Sequence, residues 1–79
     1  MRTLLNIPVG KRVRLAPIDS SNLQARLRQV GLYAGDCIRL LRIAPLDGPL
    51  LVEAHGREIA LGRQIVGQIL VEDEPCELP

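Results

Sequence analysis

Aromatic side chains are almost absent from this chain of 79 residues, in which Tyr33 stands without any Phe or Trp. Proteins that stack nucleobases, or that hold proline-rich peptides in aromatic grooves, need several such side chains. The composition therefore weighs against both classes. A hydrophobic content of 47% with 24% charged residues is instead typical of a globular domain.

Long hydrophobic runs are also absent. Charged residues, Gly and Gln interrupt every apolar stretch well short of the ~20 residues that a membrane-spanning helix needs. The apolar part of the first segment is too short for a secretory signal and soon meets Pro8 and Gly10. We therefore expect an intracellular protein that does not insert into a membrane.

Only two cysteines and one histidine are present. Cys37 and Cys76 follow no ligand pattern, and in a reducing compartment we expect them to remain unpaired thiols. Cys76 should label readily and Cys37 slowly, because we place the first in a loose tail and the second in a strand. His55 has no nucleophile near it in sequence, and no phosphate-loop, dinucleotide or zinc-protease motif occurs. We expect no enzymatic activity.

The charges divide unevenly along the chain. Residues 1–42 hold eight basic and two acidic residues, whereas residues 43–79 hold two basic and seven acidic residues. A basic strand surface for nucleic acid is one interpretation, built from Arg12, Arg14, Arg39 and Arg42. The net charge of only +1 and the lack of stacking aromatics favour a mixed solvated surface instead.

Turn residues divide the chain into short elements. Val13 and Leu15 alternate with arginines, which predicts a half-buried strand over residues 11–15. Further strands are predicted over residues 37–43, 50–55, 58–61 and 68–71, with a tight turn at Gly56-Arg57 and a helical turn over 62–66.

One helix is predicted after the first strand. Ser21 and Gln24 have the spacing of a capping box, and Leu23, Leu27 and Val30 recur at helical spacing before Gly31 ends the helix. Five short strands and one helix predict a mostly β fold, a small antiparallel barrel with the helix closing one end. Residues 1–72 form this domain, and residues 73–79 form an acidic tail that we expect to be flexible.

Glu53 and His55 are the candidate metal ligands. They stand two residues apart on a predicted strand and should therefore share a face. Because two ligands are fewer than a site needs, we expect no cofactor and at most weak binding of a divalent ion. Cys76 or Glu74 could complete a site only if the tail folded back or a second molecule contributed.

The order of motifs resembles that of the FeoA family, small accessory proteins of bacterial ferrous iron uptake. The likeness covers residues 4–72. Five segments carry it: Leu5 to Gly10 before the basic strand, the helix that ends at Gly31-Leu32, the loop Arg42 to Leu50, Gly56 with Ile59-Ala60-Leu61, and Ile69 to Val71. Ala34 and Gly62 depart from the family pattern, which often has a proline at the first position and a basic residue at the second.

The resemblance implies an SH3-like barrel of about five strands with one inserted short helix. It also implies a partner, the ferrous iron permease FeoB, whose cytoplasmic part contains a GTP-binding domain. The protein would then act in the cytoplasm, at the inner face of the plasma membrane when bound. Whether the protein forms a homo-oligomer is left open by the sequence. One alternative is a metal-responsive domain like the C-terminal part of iron-dependent repressors, although we expect no DNA-binding half before it in this sequence. The other alternative is a nucleic-acid-binding barrel.

The loop Ala44 to Pro49 is the predicted partner surface. Its prolines restrict the backbone and lower the entropy lost on binding. Leu46 is either an interface anchor or a lid over the barrel end, with Asp47 and Pro49 beside it. Arg26 and Arg57 are further candidates, because an arginine supplied to a GTPase is a known device.

Overall fold

The computed structural model describes residues 2–73 and 76. Six strands and two helices follow one another within these residues, and a single 3-10 turn covers Leu4–Asn6. In chain order they are β1 (Arg2–Thr3), β2 (Arg12–Leu15), α1 (Ser21–Gln29), β3 (Cys37–Ile43), β4 (Leu50–Ala54), β5 (Arg57–Leu61), α2 (Arg63–Val66) and β6 (Leu70–Glu72).

The strands form one antiparallel sheet in the order β1-β6-β2-β3-β4-β5. The sheet bends at Leu41, where the β3–β4 register shifts between Leu40 and Arg42. Such a bulge increases the local twist and lets a small sheet curl around its own core. The mostly β, SH3-like fold is confirmed, with β1 as a short strand in addition to the five predicted from the sequence.

The core is wholly apolar. Alternation in β4 buries Leu50, Val52 and Ala54, while α1 contributes Leu23 and Leu27 to the same cluster. Among the described residues no polar or charged side chain is buried. Function must therefore be sought on the surface, in the loops and on the outer face of the sheet.

Helix α1 begins one residue earlier than the capping box predicted. Ser20 is the N-cap, and its Oγ accepts a hydrogen bond from the Leu23 N–H at 3.2 Å. The side chain of Gln24 does not reach back to Ser21, because it donates instead to the Ile18 carbonyl at 2.6 Å. The predicted capping box is thus wrong, and a simple serine cap replaces it.

The C-terminal end of α1 agrees with the prediction. The N–H of Gly31 donates to the Arg28 carbonyl and that of Leu32 to the Leu27 carbonyl, which is the Schellman arrangement. Gly31 has a φ of +84°, and a Cβ there would collide with the Arg57 guanidinium. That guanidinium donates to the Val30 carbonyl at 3.4 Å, where a cation also favours the negative end of the helix.

Gly31→Ala is therefore expected to destabilise the protein more than Gly35→Ala. Both glycines have a positive φ, so each alanine costs about 1–2 kcal/mol, but only Gly31 has a neighbour within 4 Å. The additional loss of stability in Gly31→Ala comes from disturbing the Arg57 contact. This difference between the two variants should therefore vanish when Arg57→Ala is added to both. Urea unfolding of the two single and two double variants measures it; equal costs in the wild-type background would contradict this assignment.

The two ends of the described chain meet at Asp73. Its carboxylate contacts the Arg2 guanidinium and lies 3.1 Å from Lys11 Nζ. The hydrogen bond from Arg2, followed by that from Lys11, holds the pKa of Asp73 below its usual value. The remainder of the predicted flexible tail, apart from Cys76, lies outside the described residues.

Candidate functional site: an apolar loop end and a cysteine–histidine end

Strand β4 separates the candidate residues into two groups. The loop 44–49 precedes it and the turn at His55-Gly56 follows it. Five residues of strand place these two features ~17 Å apart. Leu46, Asp47 and Pro49 therefore lie at one end of the domain, whereas Arg57, at the start of β5, lies at the other.

Two backbone hydrogen bonds close the loop 44–49. The Ala44 N–H donates to the Pro49 carbonyl at 3.0 Å, and the Gly48 N–H donates to the Pro45 carbonyl at 3.1 Å. A Cβ on Gly48 would lie only 2.8 Å from the Ala44 Cβ, so the loop leaves no room for a side chain there. Outside the loop, Arg63 Nε donates to the Gly48 carbonyl at 3.4 Å.

Leu46 occupies the tip of this loop in an unfavourable conformation. Leu46 and Asp47 both have a φ of +57°, as the central residues of a type I′ turn do. Asn, Asp and Gly are the usual residues there, and leucine is strained. Its side chain is 98% exposed, so no contact within the domain compensates for the strain. The alternative of a lid over the barrel end is therefore excluded.

Further exposed apolar side chains belong to segments near this loop. Ile43 ends β3, and Val9 lies in the turn that the Gly10 N–H fastens to the Leu40 carbonyl at 2.6 Å. We call Val9, Ile43 and Leu46 the apolar end. They are three of the six large hydrophobic side chains exposed in the described part of the chain.

The other end of β4 is a tight turn with His55 and Gly56 at its centre. Ala54 pairs with Arg57, and both central residues have a positive φ, which is type I′ geometry. The predicted turn at Gly56-Arg57 was thus one residue too late. Histidine is among the residues that tolerate this conformation better than most.

The geometric premise for pairing Glu53 with His55 as metal ligands was wrong. His55 lies in the turn and not on the strand, and its Nε2 is 3.1 Å from Asp36 Oδ2. Glu53 Oε1 lies 3.1 Å from Arg39 Nη2. Both residues border one depression of about 500 Å³ on the outer face of the sheet. Within residues 2–73 and 76 no group of three or more His, Cys, Asp or Glu side chains is placed to hold a metal ion.

The prediction that the cysteines stay apart was also wrong. Cys37 and Cys76 form a disulfide, with their Cα atoms 5.7 Å apart. Strand β6 lies beside β2, so that Arg14 faces Glu72 on one side and Cys37 on the other. Glu72 and Cys37 are thus separated by two strand spacings, or ~10 Å, and Cys76 follows Glu72 by four residues in the sequence.

The two candidate arginines differ in their surroundings. Arg57 is engaged within the domain, where it donates to the Val30 carbonyl at the end of α1. Arg26 lies exposed in the last turn of the same helix. Neither belongs to a segment of the apolar end.

The outer face of the sheet carries both signs of charge. Across neighbouring strands Arg12 faces Arg39, Arg39 faces Glu53, and Glu53 faces Glu58. This row is not the continuous basic surface that gripping a phosphate backbone requires. The mixed surface that we predicted agrees with this arrangement.

Sequence reasoning missed Asp36 and the cysteine pair. The N–H of Tyr33 donates to Asp36 Oδ2 at 2.9 Å and fixes the carboxylate that His55 contacts. Asp36 directly precedes a strand, and an aspartate at such a position indicates only a turn. Its contact with His55 could not be predicted from that position. The only sequence sign of this end was the pair of cysteines itself.

A six-stranded antiparallel sheet with one short inserted helix and an exposed, strained loop defines a small SH3-like barrel. No helix in residues 2–73 has the length and apolar character to cross a membrane. The chain belongs to the FeoA domain family, whose model matches residues 2–73. FeoA domains are associated with ferrous iron transport, and proteins of this family and fold are accessory or regulatory.

Three solved structures illustrate the range of similar proteins. A crystal structure of an iron uptake regulatory protein (FeoA) is 24% identical with a TM-score of 0.77, covering 90% of this chain and 93% of that one. The solution structure of FeoA from Chlorobium tepidum is 26% identical with a TM-score of 0.74, covering 98% and 80%. ScaR with bound Zn²⁺ is 32% identical with a TM-score of 0.81, covering 91% of this chain but 36% of ScaR. No curated protein matches the chain.

Proposed function

We propose that this protein is a non-enzymatic accessory module of ferrous iron uptake that binds the cytoplasmic part of the permease FeoB. It acts in the cytoplasm, at the inner face of the plasma membrane when bound. Membership of the FeoA family supports the link to iron transport. The apolar end is the surface that we assign to the partner, with Leu46 as its anchor and with Asp47 and Pro49 beside it.

The exposure of Leu46 on a strained turn carries this proposal. A leucine that is 98% exposed contributes nothing to folding through burial, and its positive φ works against stability. Strained positions of this kind concentrate at functional sites, where a partner supplies the missing contact. Burying one leucine side chain on binding contributes about 1.5–3 kcal/mol.

The surroundings of Leu46 fit a preorganised interface. The loop is closed by its own hydrogen bonds and restricted by two prolines, so little backbone entropy is lost on binding. Ile43 and Val9, exposed on the adjoining segments, extend the apolar area. An interface of this composition should depend only weakly on salt, because screening acts on charges.

Leu46→Asp is expected to abolish binding to the purified cytoplasmic domain of FeoB without lowering the melting temperature. The matched control is Leu70→Thr, which replaces an exposed leucine on β6, away from the loop, with a residue that strands favour. Biolayer interferometry measures the affinity, and iron uptake in cells lacking the native chain measures function. Wild-type affinity and uptake with Leu46→Asp would remove the loop from the interface.

A metal-responsive regulatory domain is the second candidate function, because ScaR with bound Zn²⁺ contains a similar domain. Such a domain would show metal-dependent association, whereas the permease module binds its partner with or without added metal. The same assay, repeated in a chelator and over a salt series, separates the two. Affinity that is lost in the chelator favours the regulator, and a steep loss with salt would indicate binding to nucleic acid.

A further inference from the structure

The end of the domain opposite Leu46 brings four potential metal donors together. Asp36 and Cys37 are adjacent at the start of β3, and Cys76 is bonded to Cys37. His55 lies in the turn after β4 and contacts Asp36, which immediately precedes β3. Asp36, Cys37 and His55 all border the same depression. The disulfide therefore holds Cys76 next to Cys37, at the depression that His55 also borders.

Two of these donors already have the spacing of metal ligands. Asp36 Oδ2 and His55 Nε2 are 3.1 Å apart. Two neighbouring ligands of one tetrahedral Zn²⁺ ion, each at ~2.0–2.1 Å from it, are separated by roughly 3.3 Å. The backbone N–H of Tyr33 donates to the same Oδ2 and so orients the carboxylate, as outer partners of metal ligands do.

The state of the disulfide determines whether the sulfur atoms of Cys37 and Cys76 can bind a metal ion. Sulfur atoms joined in a disulfide are not thiolate ligands, and with the bond closed the described residues hold no metal site. Two thiolates, an imidazole and a carboxylate form a donor set that suits a borderline divalent ion, Zn²⁺ above all.

We propose that Cys37, Cys76, His55 and Asp36 form a redox-gated site for a divalent transition metal of the zinc type. A dithiol gives two electrons and two protons to the Cys37–Cys76 bond, which breaks while the dithiol becomes a disulfide. Each thiol then releases a proton to solvent as its sulfur binds the ion. A small disulfide reverses the process: it accepts two electrons from the two thiolates and two protons from solvent and becomes two thiols, while the Cys37–Cys76 bond re-forms and the ion leaves.

Cobalt(II) is the probe for this site, because thiolate coordination gives it a charge-transfer absorption. The full chain is reduced with dithiothreitol, freed of it by gel filtration without oxygen, and titrated with Co²⁺ beside the oxidised chain. We expect the reduced chain to bind one ion per monomer with the thiolate absorption and tetrahedral d–d bands, and Zn²⁺ to displace it. The oxidised chain should give neither. Equal binding by both forms, or a complex that is dimeric on gel filtration, overturns the proposal.

Single substitutions test each type of ligand. Cys76→Ser removes one thiolate, and His55→Asn removes the imidazole while keeping a residue that accepts a positive φ. Each should weaken Co²⁺ binding by more than the ~10–100-fold that loss of an outer partner causes. Glu58→Gln, a carboxylate on β5 outside the donor group, is the matched control and should bind as the wild type does. Circular dichroism confirms that each variant is folded, and wild-type affinity in both ligand variants would refute the site.

Discussion

Leu46→Asn should raise the stability of the protein and at the same time weaken its binding to FeoB. The turn holds Leu46 at a φ of +57°, a conformation that asparagine accepts more readily than leucine. Because the leucine side chain is 98% exposed, its removal loses no burial. We expect a gain of about 1 kcal/mol in the free energy of unfolding. Loss of an interface anchor should lower the affinity by about thirtyfold, which corresponds to about 2 kcal/mol.

Asp47→Asn is the matched control for that experiment. It has the same φ in the same turn and is also exposed, but aspartate already tolerates the conformation. Its stability should change little. Urea unfolding and biolayer interferometry measure the two quantities on the same preparations. A Leu46→Asn protein that is less stable than the wild type, or that binds FeoB equally well, would contradict the role given to the loop.

Local patterns predicted most of the secondary structure. The strand Cys37–Ile43 has the bounds that were predicted, because Gly35 turns the chain before it and Pro45 stands soon after it. Gly31 ends α1 as predicted, since the residue after a helix end needs a positive φ that glycine supplies. Such signals depend on neighbouring residues alone, and this is why they can be interpreted without the fold.

Features that depend on strand pairing could not be predicted in the same way. The turn at His55-Gly56 follows from the pairing of Ala54 with Arg57, which no local signal distinguishes from a turn one residue later. The disulfide depends on β6 lying beside β2, two strands away from Cys37. The two cysteines are 39 residues apart in the sequence, and this separation alone does not indicate that they lie close together in the fold. The ion pair of Glu53 with Arg39 likewise follows from the β3–β4 register, which the sequence does not show.

The candidate surface was partly accessible from the sequence. An apolar residue between turn residues marked Leu46, but the sequence left an anchor and a lid equally open. Only the exposed side chain and its backbone conformation decide between them. Arg57 was a candidate for the partner surface, and the structure shows that it donates to the Val30 carbonyl at the end of α1, a contact that the sequence did not indicate.

Opening the disulfide should be the most destabilising single change at the other end of the domain. Cys76→Ser is expected to lower the free energy of unfolding by about 2–4 kcal/mol, since the bond closes a loop of 39 residues and limits the unfolded chain. Urea unfolding without reductant measures the loss. With reductant and a chelator present the wild type and the variant should be equally stable, because neither then has the bond.

Zinc distinguishes a structural disulfide from one that gates a metal site. In the reduced wild type, Zn²⁺ held at one hundred times its dissociation constant should restore about 2.7 kcal/mol, because the ion binds the folded chain and joins the same two sulfurs. Reduced Cys76→Ser should gain much less, since it retains one thiolate. If Zn²⁺ stabilises both proteins equally, the sulfurs are not its ligands, and the bond between Cys37 and Cys76 serves stability alone.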